Sequence, residues 1–365
     1  MSLNLLIAAG GTGGHVYPAI AIADAIKKAR PDAKILFAGT RAHMEWTTVP
    51  KAGYPVTEVW VSGFHRQFTL KNLLFPVKLL VSLIQSLLIV MRFKPNAVLS
   101  CGGYVAGPVG WVGAKMGIPL FVQEQNSFPG VTNRMLAKHA KRVYTAFDDA
   151  KRYFSGSDVK MLGNPVRSQM TVATRPAALA SFSFDPARRT LLVMGGSGGS
   201  LRINEAMQQN IAALHHDLGM NVIWQCGPKY FPALAAKIDL GAYPNLRLLS
   251  YIDDISLAYA AADLVVSRSG AGSISELAVV GKPMILVPSP HVAGDHQTFN
   301  AKSVADQGAA ELLTDADLVR ELTPTVQRLL NDDLTLRNMS ASAHALAYPN
   351  AADHIASDIL TTLRA

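Results

Sequence analysis

The chain has little cysteine and little charge, and each shortage excludes a class of protein. Its 365 residues include two cysteines, Cys101 and Cys226, and 16% charged side chains. Two cysteines in strand-like segments argue against a disulfide-stapled scaffold and favour a reducing compartment. The first residues enter an apolar strand without a basic stretch or cleavage site, so we expect no export leader. Low charge with 49% hydrophobic residues is typical of a well-buried α/β protein.

The two best-known phosphate-binding motifs are also missing. The glycine-rich stretches Gly10–Gly14 and Gly195–Gly199 lack the Lys-Ser or Lys-Thr that ends a P-loop. Neither has the third glycine of G-x-G-x-x-G, because Val16 and Leu201 occupy that position. P-loop ATP hydrolysis and NAD-dependent hydride transfer are therefore disfavoured.

What the chain does have is the same strand–glycine–helix pattern twice, about 185 positions apart. Glycine lets backbone N–H groups approach a ligand, and the start of the following helix favours negative charge. The duplication predicts two Rossmann-like domains of mainly parallel sheet facing across a cleft. We place the first over residues 1–163 and the second over 164–349, with a terminal helix over 350–365 that packs back on the first.

Short apolar strands alternate with helical patterns along the chain, as in parallel sheets. Strands are predicted over 3–9, 34–39, 97–101, 119–123, 142–147, 190–195, 221–226, 246–251, 262–267 and 283–288. The helix after the first glycine turn places Val16, Ala19, Ile20, Ala23 and Ile26 on one stripe.

The charge balance points to an anionic partner. There are 34 Lys and Arg against 26 Asp and Glu, a formal net charge of +8. This suits a diphosphate or an acidic membrane face. Nucleic acid is disfavoured, because no run of Lys and Arg interleaved with aromatic residues occurs.

Residues 73–91 form the most hydrophobic stretch. Pro76, Lys78 and Gln85 interrupt it, so it falls short of the roughly 20 apolar residues of a spanning helix. Basic and aromatic residues flank it, and the whole patch near 64–94 indicates a helix lying on an anionic membrane surface. The alternative is a core helix that covers the first sheet.

Five motifs occur in a specific order. They are Gly10-Gly-Thr-Gly-Gly-His15, Gly102-Gly-Tyr-Val-Ala-Gly-Pro108, Glu124-Gln-Asn126, Asn164-Pro-Val-Arg167 and Ser267-Arg-Ser-Gly-Ala271. With them the chain resembles, from Leu5 to the terminal helix, the MurG family of peptidoglycan N-acetylglucosaminyltransferases.

The resemblance implies the two-domain GT-B fold and a defined reaction. The reaction is transfer of N-acetylglucosamine from UDP-GlcNAc to the C4 hydroxyl of MurNAc in undecaprenyl-diphospho-MurNAc-pentapeptide (lipid I), which forms lipid II. It is expected to invert the anomeric carbon without a metal ion or cofactor. A peripheral place on the cytoplasmic face of the cell membrane, and roles in cell-wall synthesis, cell shape and division, are implied as well.

Inverting transfer needs a base near the acceptor hydroxyl. His15 is one candidate, because a histidine with the ordinary pKa of about 6.5 suits this role; alternatively it only orients the acceptor. Glu124 follows a strand end, where open α/β sheets bind ligands, and is either a competing base or a loop carboxylate satisfied by backbone N–H groups. Asn126 and Asn133 are assigned to acceptor hydroxyls or the diphosphate, with a turn role as the alternative. Tyr104 is assigned to the acceptor pocket, with packing against it as the alternative.

The resemblance assigns the donor contacts. The backbone of Gly196–Gly199 with Ser197 is expected to hold the diphosphate, Ile252 to read uracil through its backbone, and Glu276 to accept the ribose hydroxyls. The other donor-side residues are Thr12, Gly13, Gly14, Arg167, Gly198, Arg268, His296 and Gln297.

Several of these residues also have a structural interpretation. Ser273 and Glu276 have capping-box spacing, Arg268 and Arg167 each suit an ion pair, and Asp253-Asp254 suits helix capping. Three positions depart from the family pattern: Gly198 and His296 stand where glutamine is usual, and His43 where glycine is usual.

A metal site is disfavoured. His291, Asp295 and His296 do not have a recognised zinc spacing, and Asp315-Ala-Asp317 suits helix capping. Two other functions remain as alternatives: a UDP-GlcNAc 2-epimerase of the same fold, and a non-catalytic membrane scaffold that binds a sugar nucleotide.

Overall fold

The chain divides into two units in the computed structural model, which describes residues 3–62, 74–166 and 173–364. The first unit comprises Met1–Val166 together with Tyr348–Ala365, and the second comprises Arg167–Ala347. The sequence places these boundaries after residues 163 and 349.

Within the described residues, the first unit contains a seven-stranded sheet in the order β3-β2-β1-β4-β5-β6-β7, and each neighbouring pair is parallel. Its elements are β1 Asn4–Ala9, α1 Gly13–Ala29, β2 Lys34–Gly39, α2 Glu45–Lys51, β3 Val56–Glu58, α3 Phe75–Phe93, β4 Ala97–Gly102, α4 Ala106–Lys115, β5 Leu120–Glu124, α5 Val131–Ala137, β6 Arg142–Thr145, a 3₁₀ segment Asp148–Tyr153, β7 Val159–Met161 and, from the end of the chain, α14 Ala351–Thr362.

The second unit contains, within the described residues, a six-stranded parallel sheet in the order β10-β9-β8-β11-β12-β13. Its elements are α6 Arg175–Ser181, β8 Thr190–Met194, α7 Leu201–Ala212, a π turn Ala213–Asp217, β9 Asn221–Gln225, α8 Phe231–Lys237, a 3₁₀ turn Leu240–Ala242, β10 Leu246–Leu249, α9 Ile255–Ala261, β11 Leu264–Arg268, α10 Ala271–Val279, β12 Met284–Val287, a 3₁₀ turn Ala293–Asp295, α11 His296–Ala305, β13 Ala310–Leu312, α12 Leu318–Leu330 and α13 Asp333–Ala345.

Both faces of the first sheet are covered. Along β1, Leu5 and Ile7 point into a core shared with α1 and α14, whereas Leu6 and Ala8 point into a core shared with α4 and α5. Because successive strand residues face opposite sides, a strand buried on both faces reads as a continuous apolar run. The stripe predicted on α1 is confirmed: four of its five members are buried, and Ile20 packs against the same core.

The C-terminal helix α14 belongs to the first unit. Ile355 and Ile359 are fully buried in the core beside α1. The carboxylate of Asp358 accepts hydrogen bonds from Arg142, Tyr144 and Lys160 at 2.7, 2.8 and 2.6 Å. The helix is therefore held by apolar packing and by ionic contacts to β6 and β7.

Helix α3 buries a narrow stripe. Ser82, Ser86 and Val90 are buried on the side that packs against α4. Leu80 and Ile84, by contrast, are 60% and 50% exposed. Among the described residues this is the one helix long and apolar enough to cross a membrane by length and composition. The basic and aromatic residues predicted to flank its start, within 64–71, lie outside the described residues.

The ten predicted strands are all present, with ends that differ by two residues at most. Three further strands, β3, β7 and β13, were not predicted from the sequence. Each has three residues, and β3, β7 and β13 form sheet edges. Such short strands lack the apolar run that marks a buried strand.

Candidate active site

The predicted site residues follow the carboxyl ends of strands on either side of the point where the strand order reverses. In the first unit that point lies between β1 and β4, and in the second it lies between β8 and β11. Open α/β sheets bind ligands at this place, because the loops after the two strands diverge there. The fold thus positions both glycine turns at ligand-binding edges of their own sheets.

His15 lies in the first turn of α1 with a defined ring tautomer. Its Nδ1 is 3.0 Å from the carbonyl oxygen of Gly10 and 3.3 Å from the hydroxyl of Thr12. Because a carbonyl can only accept, Nδ1 carries the hydrogen and Nε2 is the basic nitrogen. Gly102 allows the ring to approach the turn after β4: its φ is +102°, and a Cβ there would lie 2.7 Å from the imidazole Cδ2.

Glu45, the first residue of α2, holds the same glycine turn from below. Its side chain is 1% exposed and accepts hydrogen bonds from the backbone N–H groups of Gly11 and Thr40, each at 3.0 Å. The Gly11 N–H is therefore bonded to protein. In the sequence, Glu45 follows the turn after β2. Its spacing from the first glycine turn does not predict the contact with Gly11.

Glu124 organises the loop between β5 and α5. The buried carboxylate accepts from the backbone N–H groups of Asn126 and Gly130 at 2.9 and 3.2 Å, and from the side-chain amides of Asn126 and Asn133 at 3.1 and 2.9 Å. Burial raises the pKa of Glu124 above its ordinary value, and these hydrogen bonds offset that effect only in part. These contacts match the loop-carboxylate alternative.

The three residues assigned to the acceptor have different surroundings. Tyr104 is 57% exposed in the turn after β4. Asn126 is half-buried beside Glu124. Asn133 is buried, and its amide donates to Glu124 and to the Gln123 carbonyl, so it fixes the loop.

The glycine turn after β8 packs closely on the turn after β9. A Cβ on Gly199 would lie 2.0 Å from the carbonyl oxygen of Cys226, and the φ of Gly199 is +75°. Gly198 is different: nothing lies within 4 Å of a Cβ built there. Ser197 and Gly198 are exposed at the tip, and the turn ends at Ser200, which caps α7 by accepting from the Ile203 N–H.

A cavity of about 230 Å³ opens beside this turn within the second unit. The N-termini of α7, α10 and α11 meet at it, and helix N-termini carry partial positive charge that favours an anion. The residues lining it are Gly195, Gly196, Gly199, Ser200, Arg268, Gly270, Ser273, Ser289, Val292 and Gln297. The structure therefore brings Arg268 and Gln297, two of the predicted donor residues, to the glycine turn.

The remaining donor-side residues lie around the same sheet edge or outside it. Gln297 accepts from the Ser289 N–H at 2.9 Å, and His296 beside it begins α11. Glu276 on α10 accepts from the Tyr259 hydroxyl at 3.0 Å. The other predicted members are Ile252, buried two residues beyond the Ser250 that follows β10, Thr12, Gly13 and Gly14 at the start of α1, and Arg167, which lies outside the described residues.

Of the capping predictions, one is wrong and another holds only in part. Helix α10 begins at Ala271 with Gly270 as its N-cap, so Ser273 lies inside the first turn and makes no capping box with Glu276. In Asp315-Ala-Asp317, Asp317 occupies the N-cap position of α12 without a side-chain cap hydrogen bond, whereas the carboxylate of Asp315 pairs with Arg268 at 2.5 Å. Asp254 does cap α9, because its side chain accepts from the Ser256 N–H.

Within residues 3–62, 74–166 and 173–364, no cluster of three or more His, Cys, Asp or Glu side chains has the arrangement to hold a metal ion. Cys101 and Cys226 are both buried free thiols, and burial raises the pKa of each.

Comparison with known proteins shows which families the two parts of the chain match. Residues 5–145 match the glycosyltransferase family 28 N-terminal domain and residues 190–355 match the family 28 C-terminal domain. A UDP-N-acetylglucosamine--N-acetylmuramyl-(pentapeptide) pyrophosphoryl-undecaprenol N-acetylglucosamine transferase from Christiangramia forsetii is 42% identical over 359 residues, covering 98% of this chain and 97% of that protein. A protein of the same name from Salinibacter ruber is 44% identical, covering 98% and 96%.

Among solved structures, MurG from Acinetobacter baumannii is 28% identical and superposes with a TM-score of 0.80, covering 99% of this chain and 100% of that one. The chain belongs to the MurG family. The predicted fold class, α/β with two Rossmann-like units of parallel sheet, is confirmed. As a member of the MurG family the chain is a glycosyltransferase, an N-acetylglucosamine transferase by the names of its relatives.

Proposed function

We propose that this protein transfers N-acetylglucosamine from UDP-GlcNAc to the C4 hydroxyl of MurNAc in undecaprenyl-diphospho-MurNAc-pentapeptide, with inversion and without a metal ion. The observation that carries the proposal is similarity over 98% of the chain to relatives whose names specify this donor and this acceptor. The product is lipid II, so the protein acts in peptidoglycan synthesis and through it in cell shape and division.

On the acceptor side, His15 is the proposed base. Its Nδ1–H is fixed by the Gly10 carbonyl, which directs the basic character to Nε2. Nε2 removes the proton of the C4 hydroxyl as that oxygen attacks C1 of the donor sugar. Glu124 is assigned a positioning role instead, because four hydrogen bonds already occupy its carboxylate.

On the donor side, the turn from Gly195 to Gly199 and the three helix N-termini beside it are proposed to hold the UDP diphosphate. As the new bond to C1 forms, the bond from C1 to the β-phosphate oxygen breaks and its electron pair leaves with UDP. Backbone N–H groups aimed at the departing oxygens stabilise that charge without reorganisation. Glu276 and Ile252 are proposed to bind the ribose and the uracil, and Gln297 with His296 the sugar.

The experiment is transfer of radiolabelled GlcNAc to lipid I in detergent by the full chain. We expect labelled lipid II, sensitive to omission of the acceptor and unaffected by a metal chelator. Exchange of the C2 proton of UDP-GlcNAc without acceptor would instead support an epimerase. Tight UDP-GlcNAc binding without turnover of a lipid I sample that an active relative consumes would support a scaffold.

We also propose that the protein works peripherally at the cytoplasmic face of the cell membrane, with α3 lying on the lipid surface. The support is the exposed apolar face of α3, including Leu80 and Ile84, together with the formal net charge of +8. Apolar side chains enter the headgroup boundary while cationic residues approach anionic lipids. The partners are thus UDP-GlcNAc, the lipid-linked muramoyl peptide and an anionic membrane.

A further inference from the structure

The guanidinium of Arg268, at the end of β11, has all five of its N–H groups bonded within the second unit. Nε and Nη2 donate to the hydroxyl of Ser200 at 3.0 and 2.7 Å. Nη1 and Nη2 donate to the carboxylate of Asp315 at 2.5 and 3.3 Å. Nη1 also lies 3.2 and 3.1 Å from the carbonyl oxygens of Val287 and Pro288.

These partners belong to three loops at the carboxyl edge of the second sheet. Ser200 ends the glycine turn and caps α7, Val287 is the last residue of β12, and Asp315 lies between β13 and α12. Asp315 is itself held, because Arg202 on α7 donates to its backbone carbonyl at 2.6 Å. Arg268 and Asp315 are 12% and 23% exposed. The pair therefore ties the glycine turn to the rest of the cavity wall.

We propose that Asp315 is a positioning residue for donor binding, and that Arg268 acts through Ser200 and the glycine turn without ligating the diphosphate itself. A guanidinium has five N–H donors and no others, so a direct bond to phosphate would require one of the present bonds to break. The carboxylate of Asp315 also neutralises the arginine locally. This inference rests on the proposed function, because it takes the diphosphate to bind at the glycine turn.

The two possible roles of Arg268 predict opposite effects of removing Asp315. If Arg268 is a diphosphate ligand restrained by Asp315, the variant Asp315→Ala releases a cation and binds UDP more tightly. If Asp315 positions the turn, the same variant leaves Arg268 without its carboxylate partner, the turn loosens, and UDP binds more weakly. Loss of a charge-assisted hydrogen bond network of this kind is expected to raise the Kd for UDP about tenfold.

The test is a double-mutant cycle on the full chain, with R268A, D315A and R268A/D315A titrated calorimetrically with UDP and with uridine. We expect both single variants to weaken UDP binding, and the double variant to bind no more weakly than R268A, because the two side chains act as one unit. Uridine affinity should stay within about twofold, since it has no diphosphate to place. The KM for UDP-GlcNAc should rise more than kcat falls.

The matched control is D317A. Asp317 lies two residues away, is 43% exposed, and bonds to Thr314 and Arg320 outside the cavity. It should bind UDP as the parent does. D315N, which keeps the shape of the side chain, separates loss of charge from a folding defect when thermal unfolding is compared.

Tighter or unchanged UDP binding by D315A would overturn the proposal, as would additive effects in the double variant. If the parent protein itself does not bind UDP, the proposed function fails first, and that result is distinct from either outcome for Asp315.

Discussion

The hydrogen bond from His15 Nδ1 to the Gly10 carbonyl gives the two ring nitrogens different roles, positioning and proton transfer. One nitrogen anchors the ring to the backbone and the other is left with the lone pair. A side chain that keeps the anchor but lacks the basic nitrogen therefore tests the role of the ring in proton transfer.

His15→Asn is such a change, because its amide N–H can replace Nδ1–H but offers no base. We expect kcat to fall about 10²- to 10⁴-fold, the usual contribution of a general base, with UDP affinity preserved. Steady-state kinetics with lipid I and a UDP titration measure the two quantities.

The comparison variant is Glu124→Gln. Its amide NH₂ would face the N–H donors that now surround the carboxylate, so we expect a lower melting temperature. If E124Q folds as the parent does and loses kcat while H15N does not, Glu124 is the base.

At this scale the sequence identified His15 and Glu124 but not their partners. Motif order located both residues, because each follows a strand at a ligand-binding edge. The contacts of Glu45 with Gly11 and of Asp315 with Arg268 were not predicted, because they join positions 34 and 47 residues apart. Only the folded chain brings such pairs together.

Among the structural elements, the glycine turn after β8 offers a sharp contrast between neighbours. Gly199→Ala forces a side chain into left-handed backbone and against the Cys226 carbonyl, whereas Gly198→Ala meets nothing. We expect G199A to lower the free energy of unfolding by about 2–4 kcal/mol, and G198A to change it by less than about 0.5 kcal/mol. Urea denaturation measures both, and equal losses would contradict this account of the turn.

The ionic anchor of α14 should give the first unit a pH-dependent stability. Burial raises the pKa of Asp358, but hydrogen bonds from Lys160, Arg142 and Tyr144 outweigh it and hold the pKa below its ordinary value. A carboxyl with a depressed folded pKa stabilises above the unfolded pKa, and that contribution is lost as pH falls through the folded pKa.

Asp358→Asn should therefore cost about 2 kcal/mol at pH 7, less than the roughly 3–5 kcal/mol of a fully buried pair, because Lys160 is 42% exposed. The difference from the parent should begin to narrow below about pH 4, where the carboxyl becomes protonated in the unfolded chain, and should close as pH falls through the lower pKa of the folded parent. Urea unfolding at several pH values measures it. A difference that stays constant with pH would show that packing, not charge, anchors the helix.

The longer elements were predictable from the sequence and the shortest were not. Strands such as β1 and β8 are apolar on both faces, so their runs stand out against the helices. The start of α10 was misplaced because Ser273 and Glu276 have the spacing of a capping box, yet Gly270 occupies the N-cap. The capping-box spacing is a local pattern, and it does not predict that the helix begins at the turn that lines the cavity.

For the molecule as a whole, the exposed face of α3 makes membrane contact testable separately from catalysis. The double variant L80E/I84E introduces two charges at Leu80 and Ile84, which are 60% and 50% exposed. Folding should therefore be unaffected. Binding to vesicles of phosphatidylethanolamine and phosphatidylglycerol should weaken about tenfold or more, because two apolar side chains no longer leave water. Cosedimentation measures it.

The control for that experiment is Leu334→Glu, since Leu334 is 63% exposed on α13 of the other unit. It should leave vesicle binding unchanged. Equal binding by the α3 variant and the parent would remove α3 from the membrane surface.

Because α14 completes the core beside α1, the order of synthesis has a consequence for biogenesis. The amino-terminal half emerges from the ribosome first but still lacks Ile355 and Ile359, which are buried there in the finished protein. The intervening unit, Arg167–Ala347, is contiguous in sequence, so all of its residues are synthesised before α14. In nascent chains, the second unit should therefore acquire protease resistance before the first. The amino-terminal segment, although made first, would depend longest on chaperones.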